Sequence, residues 1–276
     1  MKNKIKIGTL ISGGGTNLQA IIDSCADGRI DGEILFTGSD VPNVKGLERA
    51  QKAGIRTFVV DYKKIIKDAK INPSSLALPD DFDIRQIKEK QKLINPKDGV
   101  DKIDFFLKTR AAAEKELLDK IVPYKIDLLV LAGFMRTFTP YFIDKINKSI
   151  LGNSNFDNIN SIGQMSNETP DNINLKHSKT ILHKHRIMNI HPALLPAFPG
   201  TDGYGDTFRY GCKVGGCTVH YIDYGEDTGP IIGQRAFQIE DNDTLESVKQ
   251  KGLALEWQLY PECIQKFARD LLGADK

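Results

Sequence analysis

Lys4-Ile5-Lys6-Ile7-Gly8-Thr9-Leu10-Ile11 runs directly into Ser12-Gly13-Gly14-Gly15-Thr16-Asn17 and then into Leu18-Gln19-Ala20-Ile21-Ile22. The first segment alternates and then turns wholly apolar, as a strand does on entering a sheet covered on both faces. The last carries apolar residues at helical spacing. Strand, glycine loop and helix in that order open an α/β unit. The rhythm repeats downstream: residues 33–37 read as a strand, 44–53 as a short helix that Gly54 stops, and 56–60 as a third strand. Residues 126–134 are the most apolar strand and belong at the centre of the sheet. A helix over 110–121 precedes them. Thr139-Pro140 opens another helix by cap and proline, with a pattern that fades near Asn147. Strands follow at 187–190, 216–222 and 231–239, the first two joined by a loop. A C-terminal helix over 244–272 is expected to break or kink at Tyr260-Pro261, because proline lacks a backbone donor and clashes with the preceding turn. The fold class is α/β, with a mostly parallel central sheet flanked by helices.

Two stretches break this pattern. Residues 63–108 are rich in Lys and Asp, contain Pro73, Pro79 and Pro96, and show no sustained period, so they read as a largely surface insertion. Residues 148–186 are rich in Asn and hold His177, His183 and His185. Without both, the remainder suits one α/β domain, so 1–276 reads as a single domain with two surface insertions.

Composition narrows the function. The chain has 276 residues, 40% hydrophobic and 27% charged, and a net charge of +2. These values fit an ordinary globular chain and give no basic footprint for nucleic acid. The longest apolar run, from Leu128 to Met135, is far short of the roughly 20 residues that span a bilayer. The N-terminus lacks a signal-peptide pattern, which points to the cytoplasm. Cys25, Cys212, Cys217 and Cys263 form no C-x-x-C pair, and His183-x-His185 has no Cys or carboxylate beside it, so no metal is expected.

Three constellations carry chemistry. The glycine loop at a helix N-terminus is an anion site, where backbone N–H groups and the helix dipole converge. It lacks the P-loop ending and the third glycine of a dinucleotide fingerprint, which favours a single small phosphate. Asn189-Ile190-His191-Pro192 places Asn189 and His191 on one face at the C-terminal end of a strand, where open α/β sheets bind ligands. An amide donor beside a titratable imidazole suits stabilisation of a tetrahedral oxyanion and transfer of a proton. Asp223-Tyr224-Gly225-Glu226-Asp227-Thr228-Gly229-Pro230 is an acidic loop, and a carboxylate from it beside His191 would raise the imidazole pKa.

The sequence resembles the phosphoribosylglycinamide formyltransferase family. The likeness rests on Ile11 to Gln19, Gly46-Leu47-Glu48-Arg49-Ala50, Leu131-Ala132-Gly133-Phe134-Met135-Arg136, Asn189 to Pro196, Asp227-Thr228-Gly229-Pro230, and Glu256 with Tyr260-Pro261, in family order. The resemblance implies a Rossmann-like formyltransferase fold and formyl transfer from 10-formyltetrahydrofolate to the amine of glycinamide ribonucleotide in purine biosynthesis. It implies a catalytic trio of Asn189, His191 and Asp227, in which Asn189 and protonated His191 hold the oxyanion and Asp227 keeps His191 charged. It assigns the ribonucleotide and its phosphate to Gly15, Thr16, Asn17 and Glu256. The folate side falls to Arg110, Met135, Arg136, Thr137 and Phe138, with Asn189, Asp223, Tyr224, Gly225, Glu226 and Asp227. Folate would be a co-substrate with no tightly bound cofactor, the partners are small molecules, and a homo-oligomer is left open. The chain departs from the family at Gly14 and at Thr201-Asp202-Gly203, where a His usually follows the Pro-Gly pair. A formyltetrahydrofolate deformylase and a non-catalytic phosphate-ligand binding protein are the alternatives. Methionyl-tRNA formyltransferase shares the Asn-x-His-Pro segment but would need a further β-domain and a basic surface.

Overall fold

The structure is a computed structural model describing residues 3–94, 99–152 and 185–273. Seven strands form one sheet: β1 (Ile5–Ile11), β2 (Gly32–Ser39), β3 (Arg56–Val59), β4 (Leu128–Leu131), β5 (Ile187–His191), β6 (Val214–Tyr221) and β7 (Ile231–Gln238), in the order β3-β2-β1-β4-β5-β6-β7. β1 to β5 run parallel, while β6 and β7 are antiparallel. Strand order reverses between β1 and β4, and a doubly wound sheet opens a crevice outside the carboxyl ends of its strands at that switch point.

Helices cover both faces. α1 (Thr16–Ala26), α2 (Lys45–Lys52) and the long α8 (Leu245–Gly273) bury Ile5, Ile7, Leu18, Ile21, Tyr260 and Phe267 on one face. α3 (Tyr62–Ile71), α5 (Val100–Ile121) and α6 (Pro140–Leu151) pack Leu117, Phe142 and Ile146 against Leu10, Phe36 and Leu129 on the other. Only Lys6 of β1 is exposed, as a doubly covered strand requires.

The first insertion is a correction to the sequence reading. It is largely helical, with α3, α4 (Ile84–Lys90) and the first turns of α5, which starts at Val100 rather than Arg110. The helical stripe was present at Ile103, Leu107 and Ala111, but Lys102, Asp104 and Lys108 interleave with it. Its early part packs with Ile87, Phe82 and Ile84 in a small separate cluster, so no long apolar run marks it. The second insertion falls mostly outside the described residues, His177 and His183 included.

Three further expectations change. α6 continues to Leu151, α7 (Gly203–Tyr210) occupies what read as loop, and α8 passes through Pro261 without a break. Gly203 and Gly205 disguise α7, since glycine is a poor helix former. At Pro261 tertiary packing overrides the lost hydrogen bond: Leu259, Tyr260, Cys263 and Ile264 are buried around it. The Tyr260 hydroxyl contacts the Leu131 and Met188 carbonyls at 3.0 and 2.9 Å. That anchors the helix across β4 and β5.

Candidate active site

The loop after β1 is shaped by a close approach. Gly15 adopts φ 69, and a Cβ there would lie 2.6 Å from the Gly46 Cα. Gly46 N–H donates to the Gly13 carbonyl at 3.0 Å, so two glycines let α2 abut the loop and fix the start of α1. The same loop is laced to the end of β4, with Ser12 N–H donating to Gly133 O at 3.0 Å and Met135 N–H to Ser12 Oγ at 2.8 Å. The loops at the switch point are therefore joined to each other.

Beside them opens a cavity of about 440 Å³, within the range of small-molecule sites. Its wall brings together Asn189, His191 and Asp227, the stretch Met135, Arg136, Thr137 and Phe138, the loop residues Asp223, Gly225 and Glu226, and Asn17 with Glu256. Gly15, Thr16, Tyr224 and Arg110 are not in the wall. Tyr224 instead donates to Asp144 Oδ1 on α6 at 2.5 Å, and its carbonyl accepts from Lys92 N–H at 3.1 Å, tying the acidic loop to the first insertion. The Arg110 guanidinium stacks 5.3 Å from the Tyr62 ring centroid, and that of Arg136 lies 5.4 Å from the same centroid. Arg110 also lies 5.0 Å from the Phe106 ring centroid.

Asp227 sits at the hub of the end of the cavity formed by β5 and β6. Its Oδ2 lies 3.2 Å from His191 Nδ1 and accepts from Gly200 N–H at 2.9 Å. Its Oδ1 lies 3.5 Å from Nε2 of His220. Burial works against this carboxylate, yet His220, the Gly200 amide and His191 together hold its pKa below the ordinary 3.8. His191 Nε2 donates to the Phe198 carbonyl at 2.7 Å. Asn189 Nδ2 lies 3.3 Å from His220 Nε2, and His220 Nδ1 lies 2.9 Å from the Tyr221 carbonyl. Phe198 and Asp227 both take φ 53, a left-handed conformation uncommon outside glycine and often found at functional sites.

The His191 pKa runs against the sequence expectation. Burial pushes it below 6.5, with Asp227 and the Phe198 carbonyl pulling the other way. The ring is only 2% exposed, and desolvation of the imidazolium outweighs the attraction of one carboxylate.

The other end of the cavity is built on α1, α7 and α8. Glu256, 5% exposed, accepts from Asn17 Nδ2 and from the Tyr204 hydroxyl, each at 2.6 Å. Burial raises its pKa above 4.5, the two donors opposing that rise.

Comparisons with known proteins agree with this arrangement. A formyl transferase family model matches residues 5–153 and 178–264. The chain belongs to the formyl transferase family. Phosphoribosylglycinamide formyltransferase of Bacillus subtilis (strain 168) is 28% identical over 263 residues, spanning 95% of this chain and 93% of that protein. Glycinamide ribonucleotide transformylase 1 of Symbiobacterium toebii superposes with a TM-score of 0.63 at 31% identity, covering 98% of this chain and 90% of that one. The Bacillus halodurans phosphoribosylglycinamide formyltransferase gives 0.61 at 30% identity, with 98% and 97% covered. Against the trifunctional purine biosynthetic protein adenosine-3 of Chironomus tentans, 27% identical over 267 residues, the chain spans only 14% of the relative.

Two residues of this formyl transferase site escaped the sequence reading. His220 lies directly opposite Asn189 in the β5–β6 register, but an antiparallel register is not visible before the strands are paired. Tyr204 falls where Thr201-Asp202-Gly203 departs from the family pattern. Among the described residues no group of His, Cys, Asp and Glu is arranged to hold a metal. The four cysteines are free, and burial raises the Cys217 and Cys263 thiols to about 12, which makes them inert.

Proposed function

We propose that this chain transfers the formyl group of 10-formyltetrahydrofolate to the amine of glycinamide ribonucleotide, acting as one formyltransferase domain. The observation that carries the reading is the meeting of Asn189, His191 and Asp227 in one cavity wall, with Asn17, of the helix that follows the glycine loop, in the same wall. The names of the relatives support it.

The amine nitrogen attacks the formyl carbon, the C=O electron pair moves to oxygen, and collapse of the oxyanion releases folate N10 with a proton. In the resting geometry both His191 ring nitrogens face acceptors, so His191 reaches an oxyanion only by leaving the Phe198 carbonyl. Asn189 has a second N–H beyond the one near His220, and it is the donor available first. An imidazolium at His191 has an acceptor on each ring nitrogen, Asp227 on Nδ1 and the Phe198 carbonyl on Nε2, and these favour the cation against the burial that pushes its pKa down. The backbone N–H groups at Gly15, Thr16 and Asn17 take the phosphate. Met135 to Phe138 and the 223–227 loop take the pterin; Arg136 stands in that wall paired with Asp40, and Arg110, expected on the folate side, lies off it. Folate enters and leaves as a co-substrate.

The test is turnover of 10-formyltetrahydrofolate by the purified chain with and without glycinamide ribonucleotide. Formylated ribonucleotide, formed only when the acceptor is present, is the expected result. Equal turnover without it, with formate released, would make the chain a deformylase, and no turnover in either case would leave a binding protein.

A further inference from the structure

Tyr224 belongs to the loop that carries Asp227, yet it lies outside the cavity wall that its neighbours Asp223, Gly225, Glu226 and Asp227 line. Its ring packs instead against the buried cluster that includes Phe142 and Ile146 of α6. Its hydroxyl donates to Asp144 Oδ1 of α6 at 2.5 Å. The loop is gripped from behind, at a residue the cavity does not use.

The grip reaches into the first insertion. The other oxygen of the same carboxylate, Asp144 Oδ2, accepts from Lys90 Nζ at the end of α4 at 3.0 Å. Lys92 N–H donates to the Tyr224 carbonyl at 3.1 Å. α4 is itself seated, with Ile87 packed among Phe82, Ile103 and Tyr141, and with Lys88 paired to Asp104 of α5. The turn after α4 is closed by Gln91 Oε1, which accepts from Leu93 and Ile94 N–H at 2.8 and 2.9 Å. An exposed ion pair alone is worth little. Here one carboxylate, 21% exposed, takes an ammonium and a phenol, and a backbone hydrogen bond adds a third tie.

Asp227 needs such support. It holds φ 53, and a non-glycine residue stays in that region only where its surroundings impose it. Towards β7 the chain is fixed by Gly229, where a Cβ would come 1.9 Å from the Tyr221 carbonyl oxygen. Towards β6, Asp223 Oδ1 accepts from Gly225 N–H at 3.1 Å and from the Thr228 hydroxyl at 2.7 Å. These bonds close 223–228 into one turn that contains both Tyr224 and Asp227.

We propose that the first insertion is a brace for the reaction: through Lys90, Lys92 and Asp144 it holds Tyr224, a positioning residue that sets where Asp223 to Asp227 stand in the cavity. The proposal rests on the formyl-transfer reading. Tyr224 then serves the folate side without touching the co-substrate. The described residues of the insertion contribute nothing to the wall, yet they govern turnover through the loop.

The experiment uses the full-length chain and compares wild type with Tyr224→Phe, Asp144→Ala, the double variant, Asp144→Asn and Lys90→Met. It reads kcat, KM for both substrates, thermal melts, and amide hydrogen exchange of the 222–230 segment. Tyr224→Phe and Asp144→Ala are each expected to lower kcat/KM for 10-formyltetrahydrofolate about tenfold, less than the roughly 10² that a 1 Å misplacement can cost. The ribonucleotide KM should stay within about twofold, and the double variant should match Asp144→Ala, because both substitutions remove one shared contact. Asp144→Asn keeps an oxygen for the Tyr224 hydroxyl and should recover most of the loss. Lys90→Met, which removes only the exposed ion pair, should cost about two- to threefold. Exchange of the 222–230 amides should be faster in Tyr224→Phe than in wild type.

Variants that melt earlier but turn over as wild type make the tie purely structural and overturn the proposal. Losses that multiply in the double variant, or an equal rise in the ribonucleotide KM, overturn it as well. Wild type without ribonucleotide-dependent turnover sinks the functional reading instead. Exchange needs no substrate, so it still judges the brace: faster exchange in Tyr224→Phe supports it, and unchanged exchange overturns it.

Discussion

At the end of the cavity formed by β5, β6 and the 223–227 loop, Asn189, His191, His220 and Asp227 contact one another within 3.5 Å. At the end formed by α1, α7 and α8, the Asn17 carbonyl has no partner, and Glu256 holds acceptor capacity in reserve. At the first end the side chains already hold one another in place, and only His191 must leave a partner, the Phe198 carbonyl, to serve an oxyanion. The second is incomplete until a ligand arrives, as recognition sites are. If the two ends divide chemistry from binding as proposed, substitutions in this cavity divide between kcat and KM.

Asn189→Ala gives the largest effect. Loss of an oxyanion donor costs about 10²–10³ in kcat. The ribonucleotide KM should stay within a few-fold, because Asn189 lies at the catalytic end. Steady-state kinetics on the purified variant checks this, and a variant that turned over normally with a raised KM would break the division. Glu256→Gln should show the mirror image. Replacing a charged acceptor by a neutral one weakens a charge-assisted hydrogen bond, raising the ribonucleotide KM about 10- to 100-fold and changing kcat less. A loss confined to kcat would place Glu256 with the chemistry instead.

The two ends also differed in how far the sequence revealed them. Asn189 and His191 sit two residues apart on one strand, and strand alternation alone sets them on one face. Nothing local announces His220, which joins them only through pairing of β6 with β5. At the recognition end Asn17 and Glu256 are 239 positions apart, so only the family likeness connects them before folding. Tyr204 belongs to a glycine-bearing helix whose composition argues for a loop. The central strands β1 and β4 were legible because burial on both faces makes them almost continuously apolar. The helices of the first insertion were not, because they bury narrow stripes against one another and interleave them with Lys and Asp.

The wall between the two ends offers the smallest effect, and one that pH exposes. Glu114 of α5 is fully buried and accepts from Thr139 N–H at 2.7 Å and from its hydroxyl at 2.5 Å. Thr139 begins α6 directly after Met135 to Phe138, so this contact sets the course of the apolar wall. Burial raises the Glu114 pKa from 4.5 to about 7, Thr139 and Arg110 opposing the rise. The folded protein thus holds this proton more tightly than the unfolded chain, and stability should be full below pH 4.5 and fall as pH rises through about 7. His191 has the opposite sign: its depressed pKa gives stability above pH 6.5 that is lost as pH falls. Glu114→Gln removes the alkaline loss and leaves the acid one. The amide still accepts one of the two Thr139 donors, so the net gain at pH 8 is on the order of 1 kcal/mol, a few degrees in Tm for a chain of this size. Thermal melts of both proteins at pH 5 and pH 8 test it. The difference, variant minus wild type, should become more positive with pH; a flat difference would mean that Glu114 stays ionised in the folded state, and that Thr139 is held by a charge after all.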